Sequence, residues 1–154
     1  MTMNGGTYRG VLDTDATTDA VWRVIDDIAA WPTWQEFDAV HRVPPTDGAD
    51  GTEECWDLLV GVFRTRIRVT SRVPGQHLAY RAPILFGMRD YESRIEVEPT
   101  SAGARVVWAG RFVPTVPGTA LLWRPYLNRL IGTHLTDLGE RVRTPETGPV
   151  DPAP

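Results

Sequence analysis

Five side chains in this sequence combine a reactive type with a position that could aim it inward: His134, Arg72, Asp57, Tyr80 and Tyr91. His134 is the best single acid/base candidate, because an unperturbed imidazole titrates near neutrality and can both take and give a proton. It lies on a stripe of apolar residues (Trp123, Leu127, Leu130, Ile131, Leu138 and Val142) that recur mostly at spacings of three and four. Such a stripe is the interior face of a helix, where a histidine is either a working group or a packed core residue. Tyr80 and Tyr91 offer phenolic donors on strands. Asp26 and Asp27 are paired only in sequence; adjacent helical residues point apart, so they read as a solvated face.

Absences narrow the chemistry further. All 16 basic residues are arginine, so a Schiff-base lysine is excluded. His41, His77 and His134 fall on separate elements, and no HxxxH or CxxC spacing occurs, so no metal is expected. Neither GxGxxG, nor a Walker loop, nor GxSxG is present, which removes sequence support for a nucleotide or any other cofactor and lowers the case for hydrolysis. A net charge of -4 and a pI near 5.3 argue against a nucleic-acid partner. Cys55 is single, so no intrachain disulfide forms. There is no basic and apolar leader and no apolar run long enough to span a bilayer. The expected location is therefore the reducing cytoplasm.

The chain of 154 residues is 42% hydrophobic, enough for one domain over 5–143. Residues 144–154, rich in proline, read as a disordered tail. A strand over 7–13 leads to a helix opening near Thr17 or Thr18, with Val21, Trp22, Ile25 and Ile28 on its buried face. Pro32 should end that helix and start a second short one reaching Phe37. Strands are expected at 39–43, 52–60, 63–73, 77–81, 88–98 and 104–113, and a long helix runs from Gly118 or Pro125 to Arg143. The strongest periodic signal is at 63–73, where Phe63, Thr65, Ile67 and Val69 alternate with Arg64, Arg66 and Arg68. Residues 82–88, APILFGM, read as an apolar loop. With the run 113–123 they could form the two lips of an opening.

About seven antiparallel strands cannot bury one face under two short helices. The long helix must lie across a strongly curved sheet, and that arrangement leaves space between the two. Strand parity turns Trp56, Leu58, Val69, Tyr80, Tyr91, Trp108 and Phe112 toward that space. Trp34 and Phe37 close one end, and Leu127, Leu130, Ile131 and His134 face it from the helix. Each of these aromatics is either cavity wall or packed core.

The segment AVWRVIDDIAAWPTW, residues 20–34, resembles the N-terminal signature of the polyketide cyclase/dehydrase and lipid-transport branch of the START/Bet v 1-like (SRPBCC) superfamily. Together with SRVPG at 71–75 it is similar to the tetracenomycin-type aromatase/cyclases. The resemblance covers about residues 7–143. It implies an α+β helix-grip fold, a curved antiparallel sheet wrapped around a long C-terminal helix, with two short helices after the first strand. It also implies a hydrophobic small molecule in the cavity. In the aromatase group an arginine ahead of the VP turn enters the pocket and polarises carbonyls or enolates, and Arg72 holds that motif position. That group has a tyrosine where this chain has Phe37, so one phenolic donor is lost.

Two functions compete at this point, with a third behind them. A carrier or sensor for a polyketide, lipid or terpenoid-like molecule needs an apolar interior. A polyketide cyclase, performing aldol-type ring closure and dehydration, needs polar groups converging inside; the catalytic candidates are Arg72, His134 and Tyr91. A protein-interaction module would have a filled core. The oligomeric state stays open between monomer and homodimer.

Overall fold

The computed structural model describes residues 5–44 and 54–143. Strand β1 (Gly6–Thr14) is followed by helix α1 (Thr18–Asp26) and a 3-10 segment (Ile28–Thr33). Then come β2 (Ala39–Val43), β3 (Cys55–Val60), β4 (Phe63–Val73), β5 (His77–Leu85), β6 (Met88–Thr100), β7 (Gly103–Pro114) and the long helix α2 (Ala120–Arg143). The strands form one seven-stranded sheet in the order β1-β7-β6-β5-β4-β3-β2, with every pair antiparallel. Only β1 leaves sequence order, pairing with β7. Helix α2 packs across β1 and β7, giving the helix-grip fold.

Thr17 caps α1 by accepting from the Ala20 amide at 3.1 Å, and Val21, Trp22 and Ile25 are buried beneath it. The helix ends at Asp26, earlier than the sequence suggests. The chain tightens into the 3-10 segment, which holds Pro32 inside it rather than starting a new helix there. Trp31 is fully buried, and its indole N–H donates to the Ile25 carbonyl at 3.0 Å, satisfying an acceptor that the end of α1 leaves open.

The expected loop at 82–88 is corrected: β5 continues to Leu85, Phe86-Gly87 makes a tight turn, and β6 starts at Met88. A continuous apolar run carries no period by which to tell a strand from a loop. Here Ala82 and Leu85 are buried while Pro83 and Ile84 face out. Pro83 has no N–H, and the β4–β5 pairing stops short of it, at Arg68–Arg81. In α2, Pro125 lies inside the helix rather than at its start, and the helix runs through it with one backbone hydrogen bond missing. The expected start of β3 at Thr52 and the tail at 144–154 lie outside the described residues. No described helix is long and apolar enough to cross a membrane.

Two glycines let the layers meet. A Cβ on Gly10 would come within 2.7 Å of Leu135 and 3.0 Å of Ile131, so its absence lets α2 settle onto β1. On Gly110 a Cβ would fall 2.3 Å from the Tyr8 hydroxyl and 2.4 Å from the Glu92 carbonyl oxygen. Gly110 therefore shapes the interior by leaving room for a phenol and for close approach of the neighbouring strand.

Candidate functional site

Between the concave face of the sheet and the first half of α2 lies a cavity of about 800 Å³. Leu58 and Val60 on β3, Tyr80 and Leu85 on β5, Met88 and Tyr91 on β6 and Trp108 on β7 form one wall. Leu127, Leu130, Ile131 and His134 on α2 form the other. The mouth is edged by Phe63, Phe86, Val116, Leu122, Trp123 and Tyr126. Several of these are large apolar side chains left open to solvent, Phe63 at 65%, Leu122 at 74% and Tyr126 at 53% exposure. The two lips are tied together, since both the Thr115 amide and its hydroxyl donate to the Gly87 carbonyl at 3.0 Å.

The sheet-side wall contains a compact polar cluster, with Tyr8 and Ser93 joining Tyr80, Tyr91 and Trp108. The Tyr8 and Tyr91 hydroxyls share a short hydrogen bond, their rings stack at 5.8 Å, and Tyr80 lies 6.3 Å from Tyr91. The Trp108 indole N–H donates to Ser93 Oγ at 2.7 Å. Burial pushes all three phenols well above the ordinary tyrosine range. All three stay protonated at neutral pH and do not act as phenolate bases; Tyr80 and Tyr91, which border the cavity, can donate to a ligand oxygen there.

His134 faces this cluster from α2, its ring 5.7 Å from that of Trp108. Burial lowers its pKa from 6.5 to about 4, against a weaker upward pull from Asp137, so the ring is neutral at pH 7. Neither ring nitrogen has a hydrogen-bond partner. Gln35, just past the 3-10 segment, also borders the cavity and carries a buried, unpartnered Nε2.

Of the side chains singled out from the sequence, Phe37, Leu58, Tyr80, Tyr91, Trp108, Leu127, Leu130, Ile131 and His134 border the cavity. Four of the expected ligand contacts do not. Trp34 is buried with its ring edge-on to Trp31 and Trp108, and it borders a smaller depression of about 490 Å³ with Asp137 and Glu140. Trp56 is half-buried and donates to Glu54 Oε1 at 2.7 Å. Val69 packs at the edge of the core, and Phe112 is buried against Gly6.

Arg72 is also outside the cavity. Strict alternation puts it on the arginine face, but the register shifts between Val69 and Ser71, leaving Thr70 as an extra residue. Past the bulge Arg72 pairs with the buried Leu78, so it shares the concave face after all. There it is claimed at once. Its guanidinium donates to Glu54 at 2.5 and 3.1 Å, and its Nε lies 2.8 Å from Asp26 at the end of α1. Burial pushes Glu54 up, but the Arg72 hydrogen bonds and charge outweigh it and hold the carboxyl below its ordinary value. The arginine is a clamp between sheet and helix.

Asp57 faces the opposite side, held by Arg66 at 2.8 and 3.2 Å. Ser71 and His77 make a 2.7 Å contact on the sheet surface, yet Arg94 donates to His77 Nδ1. That leaves Nε2 as the donor, so the ring gives a proton to the serine bond and cannot take one from it. No group of three potential metal ligands occurs among the described residues. Sequence reasoning missed Gln35, Phe63, Leu85, Met88, Trp123 and Tyr126 as lining residues. Only the apolar lips at 82–88 and 113–123 carried a signal for some of them.

The family model for polyketide cyclase/dehydrase and lipid transport proteins matches residues 8–143. No curated protein sequence matches. Among solved structures, a protein from Thermus thermophilus is similar with a TM-score of 0.68 at 18% identity, covering 90% of this chain and 97% of that one. The Zhui aromatase/cyclase from Streptomyces sp. R1128 gives a TM-score of 0.70 at 16% identity, covering 90% and 94%. The di-domain aromatase/cyclase StfQ of the steffimycin biosynthetic pathway gives 0.69 at 13% identity, over 90% of this chain and 49% of that one. At these identities the likeness is one of fold.

Proposed function

Because the chain belongs to the polyketide cyclase/dehydrase and lipid transport family, we propose that it binds a hydrophobic small molecule in the cavity between sheet and α2, as a carrier or sensor. The observation that carries this reading is the make-up of the wall. A cavity of about 800 Å³ suits a polyketide, lipid or terpenoid-like ligand, and Glu36, exposed at its edge, is the one charged side chain among the described residues lining it. Binding draws on apolar burial at roughly 25 cal/mol per Å² removed from water. The apolar mouth offers such a ligand an entrance without a polar barrier.

A second reading, a cyclase, is favoured by one feature: Tyr80, Tyr91 and His134 share the interior. Phenol hydroxyls can hydrogen-bond a substrate carbonyl and stabilise the developing enolate, while neutral His134 Nε2 or Nδ1 takes the proton from the adjacent carbon. Two facts weigh against it. The arginine expected to polarise carbonyls is held by Glu54 and Asp26, and an imidazole with a pKa near 4 is a weak base.

The test is native mass spectrometry of the purified protein with identification of any retained molecule, followed by titration with Nile red. The expected result is a retained apolar molecule or saturable dye binding, reduced at least about tenfold by Leu130→Trp, which fills the cavity from α2. Equal dye uptake by both proteins with nothing retained would overturn the carrier reading. Conversion of a poly-β-ketone thioester to a dehydrated ring, lost in Tyr91→Phe, would establish the cyclase instead.

A further inference from the structure

Two of the most deeply buried polar side chains at the cavity carry unpartnered atoms. Gln35 is 7% exposed and its Nε2 meets no acceptor; His134 is 5% exposed and neither ring nitrogen is bonded. Both border the cavity, Gln35 from the segment after the 3-10 turn and His134 from α2. A protein interior rarely leaves such groups unsatisfied, and a partner arriving from the cavity removes the conflict.

We propose that Gln35 and His134 form a polar subsite that takes an uncharged oxygen function of an otherwise apolar ligand, a ketone, ester or alcohol, in preference to a carboxylate. The proposal rests on the cavity-binding reading above and adds what the ligand must carry. The Gln35 amide is a pure donor at Nε2, suited to a carbonyl oxygen. A neutral imidazole has one donor and one acceptor nitrogen, so His134 can hold a carbonyl or both sides of a hydroxyl.

Charge decides against an acid. Among the described residues no arginine lines the cavity, and Arg72, the basic residue on the concave face at the end of β4, is already bound to two carboxylates. On the far side of Gln35 the smaller depression is edged by Glu36, Asp137 and Glu140, with Arg141 beside them. A ligand carboxylate would give up its hydration for neutral donors under a net negative surround. A ketone gives up far less and gains the same hydrogen bonds.

The experiment is competition against Nile red by three ligands of equal chain length, decane, decan-2-one and decanoate, for the unaltered protein and for Gln35→Met, His134→Phe and the double variant. Decan-2-one should compete about tenfold better than decane, and decanoate no better than decane. In the double variant the ketone-to-decane ratio should fall to within about twofold. The ligand-free variants should also melt at or above the temperature of the unaltered protein, because each removes a buried group with no partner.

Saturable dye binding with no preference for the ketone would overturn the subsite and leave the cavity reading standing. A tighter fit for decanoate would do the same. If the ketone preference persists in the double variant and its melting temperature falls, Gln35 and His134 serve the fold and the proposal fails. If neither the dye nor any of the three ligands binds, the cavity reading falls and the subsite with it.

Discussion

One curved sheet has two unlike ends. At the end where α1 returns, the concave face is filled by Val21, Ile25, Ile28 and Trp31, and Arg72 ties β4 to α1 through Asp26 and to the start of β3 through Glu54. At the other end the β3–β4 and β5–β6 turns and the start of α2 surround the cavity, edged by solvent-exposed Phe63, Leu122 and Tyr126. The strands are continuous between the two ends, and the same backbone pairing runs through both. Stability and open space are therefore separated along the strands rather than between layers. The closed end supplies the packing that lets the open end stay hollow.

The largest expected effect lies at the closed end. Trp31→Ala removes a fully buried indole together with its bond to the Ile25 carbonyl, and urea unfolding should show a loss of about 3–5 kcal/mol. A loss below about 1 kcal/mol would mean that the two ends share the burden of stability equally.

The next effect comes from the open end and depends on pH. His134 binds its proton less readily in the folded protein, at about 4 against an ordinary 6.5. Below 6.5 the unfolded chain takes up a proton that the folded chain refuses, so stability is complete above that pH and falls as pH drops toward 4. The cost at full extent is on the order of 3 kcal/mol. His134→Phe should flatten this slope, read as the difference between the two proteins' unfolding free energies from about pH 7 to about pH 4.5. Parallel curves would show that the ring is solvated when the protein is folded.

Arg72→Met should have the smallest effect. The pairs it breaks are part-exposed, so the loss should be about 1 kcal/mol, with Nile red affinity unchanged within about twofold. A collapse of binding with little change in melting would move the arginine into the site and erase the contrast between the ends.

How legible the two ends are in the sequence follows the same division. The closed end is written in a repeating pattern, Val21, Trp22, Ile25 and Ile28 at helical spacing, and the strands that run between the ends carry another, the arginines of β4 alternating with Thr65 and Ile67. Helix-grip topology, the inward face of most strands and most of the expected lining residues can be read from such periods. The open end depends on single events. Pro83 interrupts an apolar run without ending the strand, Phe86 turns with a φ of 44°, and Gln35 acquires its role from an irregular stretch with no period at all. Trp34, Trp56, Val69 and Phe112 share the character of wall residues, and only their neighbours decide that they belong to packing instead.

Thr70 shows how one slip in a ladder alters the meaning of the residues after it. A strand counts modulo two, and one supernumerary residue inverts the parity of every later position. Arg72 reaches the concave face by that shift alone; were Thr70 paired in the regular ladder rather than bulged out of it, the same SRVPG letters would present their guanidinium to the far face, away from Asp26. The clamp between sheet and helix thus depends on where the ladder slips as well as on the residues that form it, and a count by twos from the start of β4 places Arg72 on the wrong side.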